Sequence, residues 1–75
     1  MSKKIIPTTA KKLIRFFEKE GFEKDRQSGS HLTLEHSDGR TVTLPVHTDK
    51  DIGKELLKKI LKDANYTLEK YNQLR

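Results

Sequence analysis

The sequence predicts an α+β fold of order α-β-β-β-α: a three-stranded antiparallel sheet with both main helices on one face, then a short C-terminal helix. Three observations carry this. Ala10, Leu13, Ile14 and Phe17 recur at the i, i+3, i+4, i+7 spacing of one helical face. Leu57, Ile60, Leu61 and Ala64 form a second such face, with Leu56 beside it. Between them, Leu32, Leu34, Val42 and Leu44 alternate with polar residues, the period of half-buried strands. Helices at both sequence ends of such a sheet are packed most economically on one of its faces, leaving the other open to solvent.

Each element has its own signals. Residues 1–7 read as a flexible basic lead ending at Pro7, and the whole of 1–75 as one domain. Thr8 or Thr9 supplies an N-cap hydroxyl for the first helix, and Gly21 sits where a left-handed residue ends it. Phe16 falls off the main stripe and is expected to pad the sheet edge or face a partner. The strands are expected at about 22–27, 30–36 and 41–46. A two-residue Asp38-Gly39 turn would put Leu34 opposite Thr43 and mix apolar with polar on each face. A three-residue Ser37-Asp38-Gly39 loop puts Leu34 opposite Val42 and Leu32 opposite Leu44, so the pattern selects it, with Gly39 as the αL residue. Pro45 cannot donate to a ladder, which places the third strand at an edge. Asn65 tolerates αL and ends the second main helix; Thr67 caps the last one, which carries Leu68 and Tyr71.

Composition bounds the chemistry. A chain of 75 residues buries only about 60% of its unfolded surface, so any site is shallow. There is no cysteine, which removes disulfides and thiolate zinc sites. The apolar runs are too short for a membrane span, and the basic N-terminal residues lack the apolar core of a signal peptide. A cytoplasmic protein with no membrane partner is the expectation. Lys and Arg outnumber Asp and Glu by 16 to 11, for a net charge of +5, which favours a polyanionic partner: nucleic acid first, an acidic protein second.

The chemical centre is Arg26-Gln27-Ser28-Gly29-Ser30-His31, where a turn becomes a strand. Alternation puts His31 on the open face or its rim. An imidazole exchanges protons near neutral pH, and RNA carries its own nucleophile in the 2′-hydroxyl, so a placed histidine can promote cleavage without a metal. Gly29 lets a phosphate approach the backbone, and the Ser28 and Ser30 hydroxyls and nearby N–H groups can donate to it. His36 alternates inward near the hairpin end, where a structural hydrogen bond is the better reading. His47, past Pro45, either approaches a substrate phosphate or is an exposed loop residue. No His-x-His or His-x-x-x-His pair exists, and Asp49 and Asp51 do not complete a ligand set, so neither metal nor other cofactor is expected. Lys54, Lys58 and Lys62 form one line along the second main helix, and Lys11, Arg15 and Lys19 along the first. Like charges at i, i+4 disfavour a free helix, and a bound phosphate backbone would relieve them; a solvated face eased by Glu55, Lys59 and Asp63 is the alternative. Arg26 and Arg40 are candidates for planar phosphate contacts.

Gly21-Phe22, Arg26-Gln27, Gly29-Ser30-His31, Asp38-Gly39-Arg40, Val42-Thr43-Leu44-Pro45 and Ile60-Leu61-Lys62-Asp63-Ala64, in this order and spacing, resemble the HicA toxins, mRNA interferases of prokaryotic toxin–antitoxin pairs. The resemblance covers nearly the whole chain, from the first helix to Tyr71. It implies a double-stranded-RNA-binding-domain-like fold and metal-free cleavage of single-stranded mRNA by the strand-two histidine, here His31. It also implies a HicB-like antitoxin that blocks the site. Arg26, Gly29, Ser30, Lys54, Lys58 and Lys62 are the expected RNA contacts. The chain departs from the family at Glu55-Leu56-Leu57, in place of Gly-Thr-Leu, and at Asn65, in place of glycine. A non-catalytic RNA-binding module of the same fold is the alternative, and a degenerate toxin that only binds antitoxin a third reading.

Overall fold

The computed structural model describes residues 8–46 and 51–75. The lead 1–7, His47, Asp49 and the side chain of Asp51 lie outside the described residues. The elements are β1 (Thr8–Thr9), α1 (Ala10–Lys19), β2 (Phe22–Ser28), β3 (His31–His36), β4 (Thr41–Pro45), β5 (Asp51–Ile52), α2 (Lys54–Asp63) and α3 (Leu68–Leu74). Strands β2, β3 and β4 form the antiparallel sheet in that spatial order, so β4 is an edge, as Pro45 requires. The architecture is α+β and double-stranded-RNA-binding-domain-like. A small ribbon, β1 paired with β5, too short to show a period in the sequence, joins the start of α1 to the start of α2.

The local signals act as expected. Thr9 is the N-cap of α1, its hydroxyl accepting from the Lys12 N–H at 3.2 Å. Gly21 follows the helix with φ +98°. Leu34 pairs with Val42 and Leu32 with Leu44, the register of the three-residue loop, and Gly39 has φ +99°. Gly53 begins α2 without a side-chain cap. At its other end Asn65 takes φ +64°, the Asn65 N–H donates to the Lys62 carbonyl and the Tyr66 N–H to that of Leu61, the two bonds of a Schellman cap. Thr67 caps α3, accepting from the Lys70 N–H at 3.0 Å.

The core gathers Leu13, Phe17, Phe22, Leu34, Val42, Leu44, Leu57, Ile60 and Leu61 between the helices and one sheet face. Complete burial of an aromatic ring such as Phe17 contributes about 2–3 kcal/mol. Phe16 is neither at a sheet edge nor exposed. It is buried by α3 and its approach, edge-on to Tyr66 at 5.5 Å and to Tyr71 at 4.8 Å. The second helical layer thus extends to α3, which covers the residue left off the first stripe.

Candidate active site

Partners across an antiparallel pair point to the same face, so the register reads out the open side of the sheet. Three rows lie there: Ser28, His31 and Pro45; Arg26, Thr33 and Thr43; Glu23, Glu35 and Thr41. Arg26 belongs to this face only because of a bulge. Counting by twos from buried Phe22 would send Arg26 to the core side. One extra residue, at Asp25, breaks the register between Lys24 and Arg26 and turns Arg26 over, opposite Thr33. The face is therefore polarised. Glu23 faces Glu35 at one end, Arg26 stands in the middle row, and His31 occupies the other end. The Thr33 and Thr43 hydroxyls, 3.2 Å apart, tie the middle row.

His31 is exposed, at the mouth of the β2–β3 hairpin. The turn is Gly29-Ser30, with Gly29 at φ +60° and Ser30 at negative φ, the pattern of a II′ hairpin that aligns with strand twist. That conformation accounts for the glycine; an added Cβ at Gly29 would meet nothing within 4 Å. The Gln27 side-chain amide donates to the Gly29 carbonyl at 3.1 Å, and the Val46 N–H donates to the Ser30 carbonyl at 2.7 Å. The second bond holds the end of β4 beside the turn, with Pro45 opposite His31.

Alongside this edge runs an open groove of about 350 Å³, lined by His31, Thr43, Pro45, Leu56, Lys59, Ile60 and Asp63. On the α2 wheel the core residues Leu57, Ile60, Leu61 and Ala64 separate two flanks. Leu56, Lys59 and Asp63 are on the β4 side. Lys54, Lys58 and Lys62 are on the other, exposed and away from the groove. The structure thus brings His31 together with Lys59, which the stripe of like charges in the sequence had obscured. Helix rotation, read from which leucines are buried, is the signal that finds it. Leu56 is 38% exposed, the one large apolar side chain so exposed among the described residues.

Arg40 has a different task from the one the sequence suggested. Its Nε donates to Asp38 Oδ2 at 2.8 Å, its Nη1 donates to the Ala64 carbonyl at 2.7 Å, and the guanidinium lies 5.2 Å from the Phe22 ring centre and 5.4 Å from that of Tyr66. It closes the C-terminus of α2 against the hairpin. The Arg40 backbone N–H bonded to the Asp38 carboxylate, with the guanidinium's help, holds the Asp38 pKa below its ordinary value. Burial, then the hydrogen bond to Glu20, raises that of Tyr66. His36 is inward, as expected: Nδ1 accepts from the Asp38 N–H at 3.1 Å, leaving Nε2 to donate to the Glu20 carbonyl at 3.1 Å. Among the described residues no three His, Cys, Asp or Glu side chains gather as a metal site, and no helix is long and apolar enough to cross a membrane.

Fold and site together define a small basic domain with a double-stranded-RNA-binding-domain-like fold that, among the described residues, presents His31 on the open face of its sheet. Residues 10–66, from the first turn of α1 to the end of the Schellman cap, match the family model described as the HicA toxin of bacterial toxin–antitoxin systems, and the chain belongs to that family. Its role is accordingly that of a toxin, with an antitoxin as counterpart. None of the curated proteins matches the chain.

Proposed function

We propose that the protein is a metal-independent endoribonuclease that cleaves single-stranded mRNA in the cytoplasm, with His31 transferring the proton, and that a HicB-like antitoxin silences it. The observation that carries this reading is the exposed His31 ring bordering a groove with room for a nucleotide. In the reaction the 2′-oxygen bonds to phosphorus as its proton passes to the imidazole. The P–O5′ bond then breaks as a proton returns to the leaving oxygen, giving a 2′,3′-cyclic phosphate and a 5′-hydroxyl. Proton transfer of this kind contributes roughly 10²–10⁴-fold. Lys59 is placed to offset the charge that gathers on the phosphate, and Arg26 on the same face to hold a neighbouring one. Ser30 and the Gly29 turn do not line the groove; they hold the hairpin end that presents His31. Lys54, Lys58 and Lys62 act only as a distant field that draws in RNA.

The test compares cleavage of single-stranded RNA by the wild type and by His31→Ala, both shown to be folded, in EDTA. Retained wild-type activity with loss in the variant supports the proposal. Equal cleavage by both would remove His31 from the chemistry, and loss of wild-type activity in EDTA would make the reaction metal-dependent. The non-catalytic reading is favoured by one observation: among the described residues no hydrogen bond orients the His31 ring. It predicts salt-sensitive binding without product.

A further inference from the structure

A second concavity lies in the helical layer and shares no residue with the groove beside His31. It is lined by Thr8, Lys12, Arg15, Phe16, Lys19, Tyr71 and Arg75, with a volume of about 270 Å³. Four of the seven are cations and none is acidic. Lys12, Arg15 and Lys19 stand at i, i+3 and i+7 of α1, and Arg75 enters from the end of α3. Among the described residues none of the four makes an ion pair. Arg75 is held in place all the same: its Nε donates to Asn72 Oδ1 at 3.1 Å, and its guanidinium lies 5.9 Å from the Tyr71 ring centre. Like charges at these helical spacings disfavour the free helix. Converging four of them on one apolar-floored hollow concentrates positive potential where water is partly displaced.

We infer that this pocket, between α1 and α3, is a phosphodiester-binding site that grips single-stranded RNA at a second point, on residues separate from those beside His31. The inference rests on the part of the proposed function that makes RNA the polyanion this protein binds. The chemistry of the ligand follows from the lining. Two guanidinium forks and two ammonium groups around a small cavity match the oxygens of a backbone phosphate. A volume below the usual range for drug-sized ligands admits a phosphate with its sugar rather than an element of a folded partner. Tyr71 and Arg75 lie beyond the stretch that matches the family model, so this chain builds the outer wall from its own C-terminal helix.

The experiment measures binding, which keeps it separate from the proton-transfer role of His31. The full chain carrying His31→Ala is titrated with a labelled single-stranded RNA of about twelve nucleotides over a range of salt concentrations. Adding Lys12→Ala, Arg15→Ala and Lys19→Ala together is expected to weaken binding about tenfold or more, and to reduce the salt slope by about 2, at about 0.7 per lost contact. Lys70→Ala, an exposed α3 lysine outside the pocket, is the charge control and is expected to leave both unchanged. Unchanged affinity in the triple variant would overturn the inference, as would an equal loss from Lys70→Ala. So would a variant that keeps RNA binding while losing a polyglutamate peptide, since the pocket would then dock an acidic protein. Should the triple variant not fold, amide shifts of the His31→Ala protein on adding the RNA decide: changes at Lys12, Arg15, Lys19 and Tyr71 support the pocket, and their absence rejects it. RNA that binds this pocket in a wild type that never cleaves would leave the inference standing while the nuclease reading fails.

Discussion

Two histidines occupy the two ends of β3, and an odd separation along a strand puts them on opposite faces. His36 is saturated. Its two ring nitrogens are bonded to Glu20 and Asp38, its ring meets Phe22 edge-on at 5.0 Å, and it packs over Gly21. The His31 ring makes no hydrogen bond among the described residues and borders an open groove. A ring whose lone pair and proton are both engaged is fixed in one tautomer and holds the fold together. A ring that no described residue engages is the one for which the proton-transfer role is proposed. Residue type is identical; strand parity decides which ring is packed and which is exposed.

The largest expected effect tests that division directly. His31→Ala is expected to lower RNA cleavage by about 10²–10⁴-fold with no change in the thermal midpoint. His36→Ala is expected to do the reverse, costing about 1–3 kcal/mol in denaturant melts, because the Asp38 N–H and the Glu20 carbonyl lose their partners, while cleavage per folded molecule is kept. A His36 variant that melts normally but does not cleave would exchange the two roles.

The arginines extend the same contrast. Arg40→Ala removes a charged donor from the last carbonyls of α2 and a cation from between two rings, so a loss of about 2–3 kcal/mol is expected in the melt. Arg26→Ala, on the exposed face, is expected to stay within about 0.5 kcal/mol of the wild type while weakening RNA binding. Equal stability losses would mean that Arg26, too, is structural.

These contrasts also mark what could be read from the chain. Both main helices, the hairpin register and the inward turn of His36 were legible because each has an apolar reference: Leu34 against Val42 leaves one consistent pairing. Glu23-Lys24-Asp25-Arg26-Gln27 has no such reference, so the bulge that brings Arg26 to the open face left no trace in the hydrophobic pattern. The β1–β5 ribbon is too short to show a period. Arg40 looked like a phosphate ligand because its nearest neighbour in sequence is a turn; its real partner, Ala64, is distant in sequence and depends on tertiary packing. Lys59 was hidden for the opposite reason. The regular Lys54–Lys58–Lys62 line marks the flank of α2 that the fold turns away from His31.

Glycines give a smaller and finer test. Gly21 and Gly29 both take positive φ, where a Cβ costs about 1–2 kcal/mol. At Gly21 the new carbon would also sit 2.8 Å from His36 Nε2, a ring held by two hydrogen bonds, while at Gly29 it would meet open space. Gly21→Ala is therefore expected to cost more than Gly29→Ala, by about 1 kcal/mol in chemical denaturation. Equal costs would mean that the His36 ring moves freely, which would weaken its claim to a structural role.

The smallest effect expected is on the pH limits of stability, and among the described residues it belongs to the His36 side. The Asp38 pKa is depressed in the folded protein by its bonds to Arg40, so the carboxylate contributes stability above its ordinary value of 3.8. That contribution is lost as pH falls through the lower folded-state value, because protonation breaks the bonds to the Arg40 N–H and guanidinium. Tyr66 has the opposite sign. Its raised value favours the neutral phenol in the folded state, a contribution complete below 10.0 and lost as pH rises through the folded-state value. Asp38→Asn is expected to flatten the acid limb of the melting temperature without altering the cleavage rate per folded molecule at neutral pH, and Tyr66→Phe to flatten the alkaline limb. His31→Ala should leave both limbs as they are, because nothing in the hairpin clamp touches it. A shift of either limb in that variant would show the two ends of β3 to be coupled rather than separate.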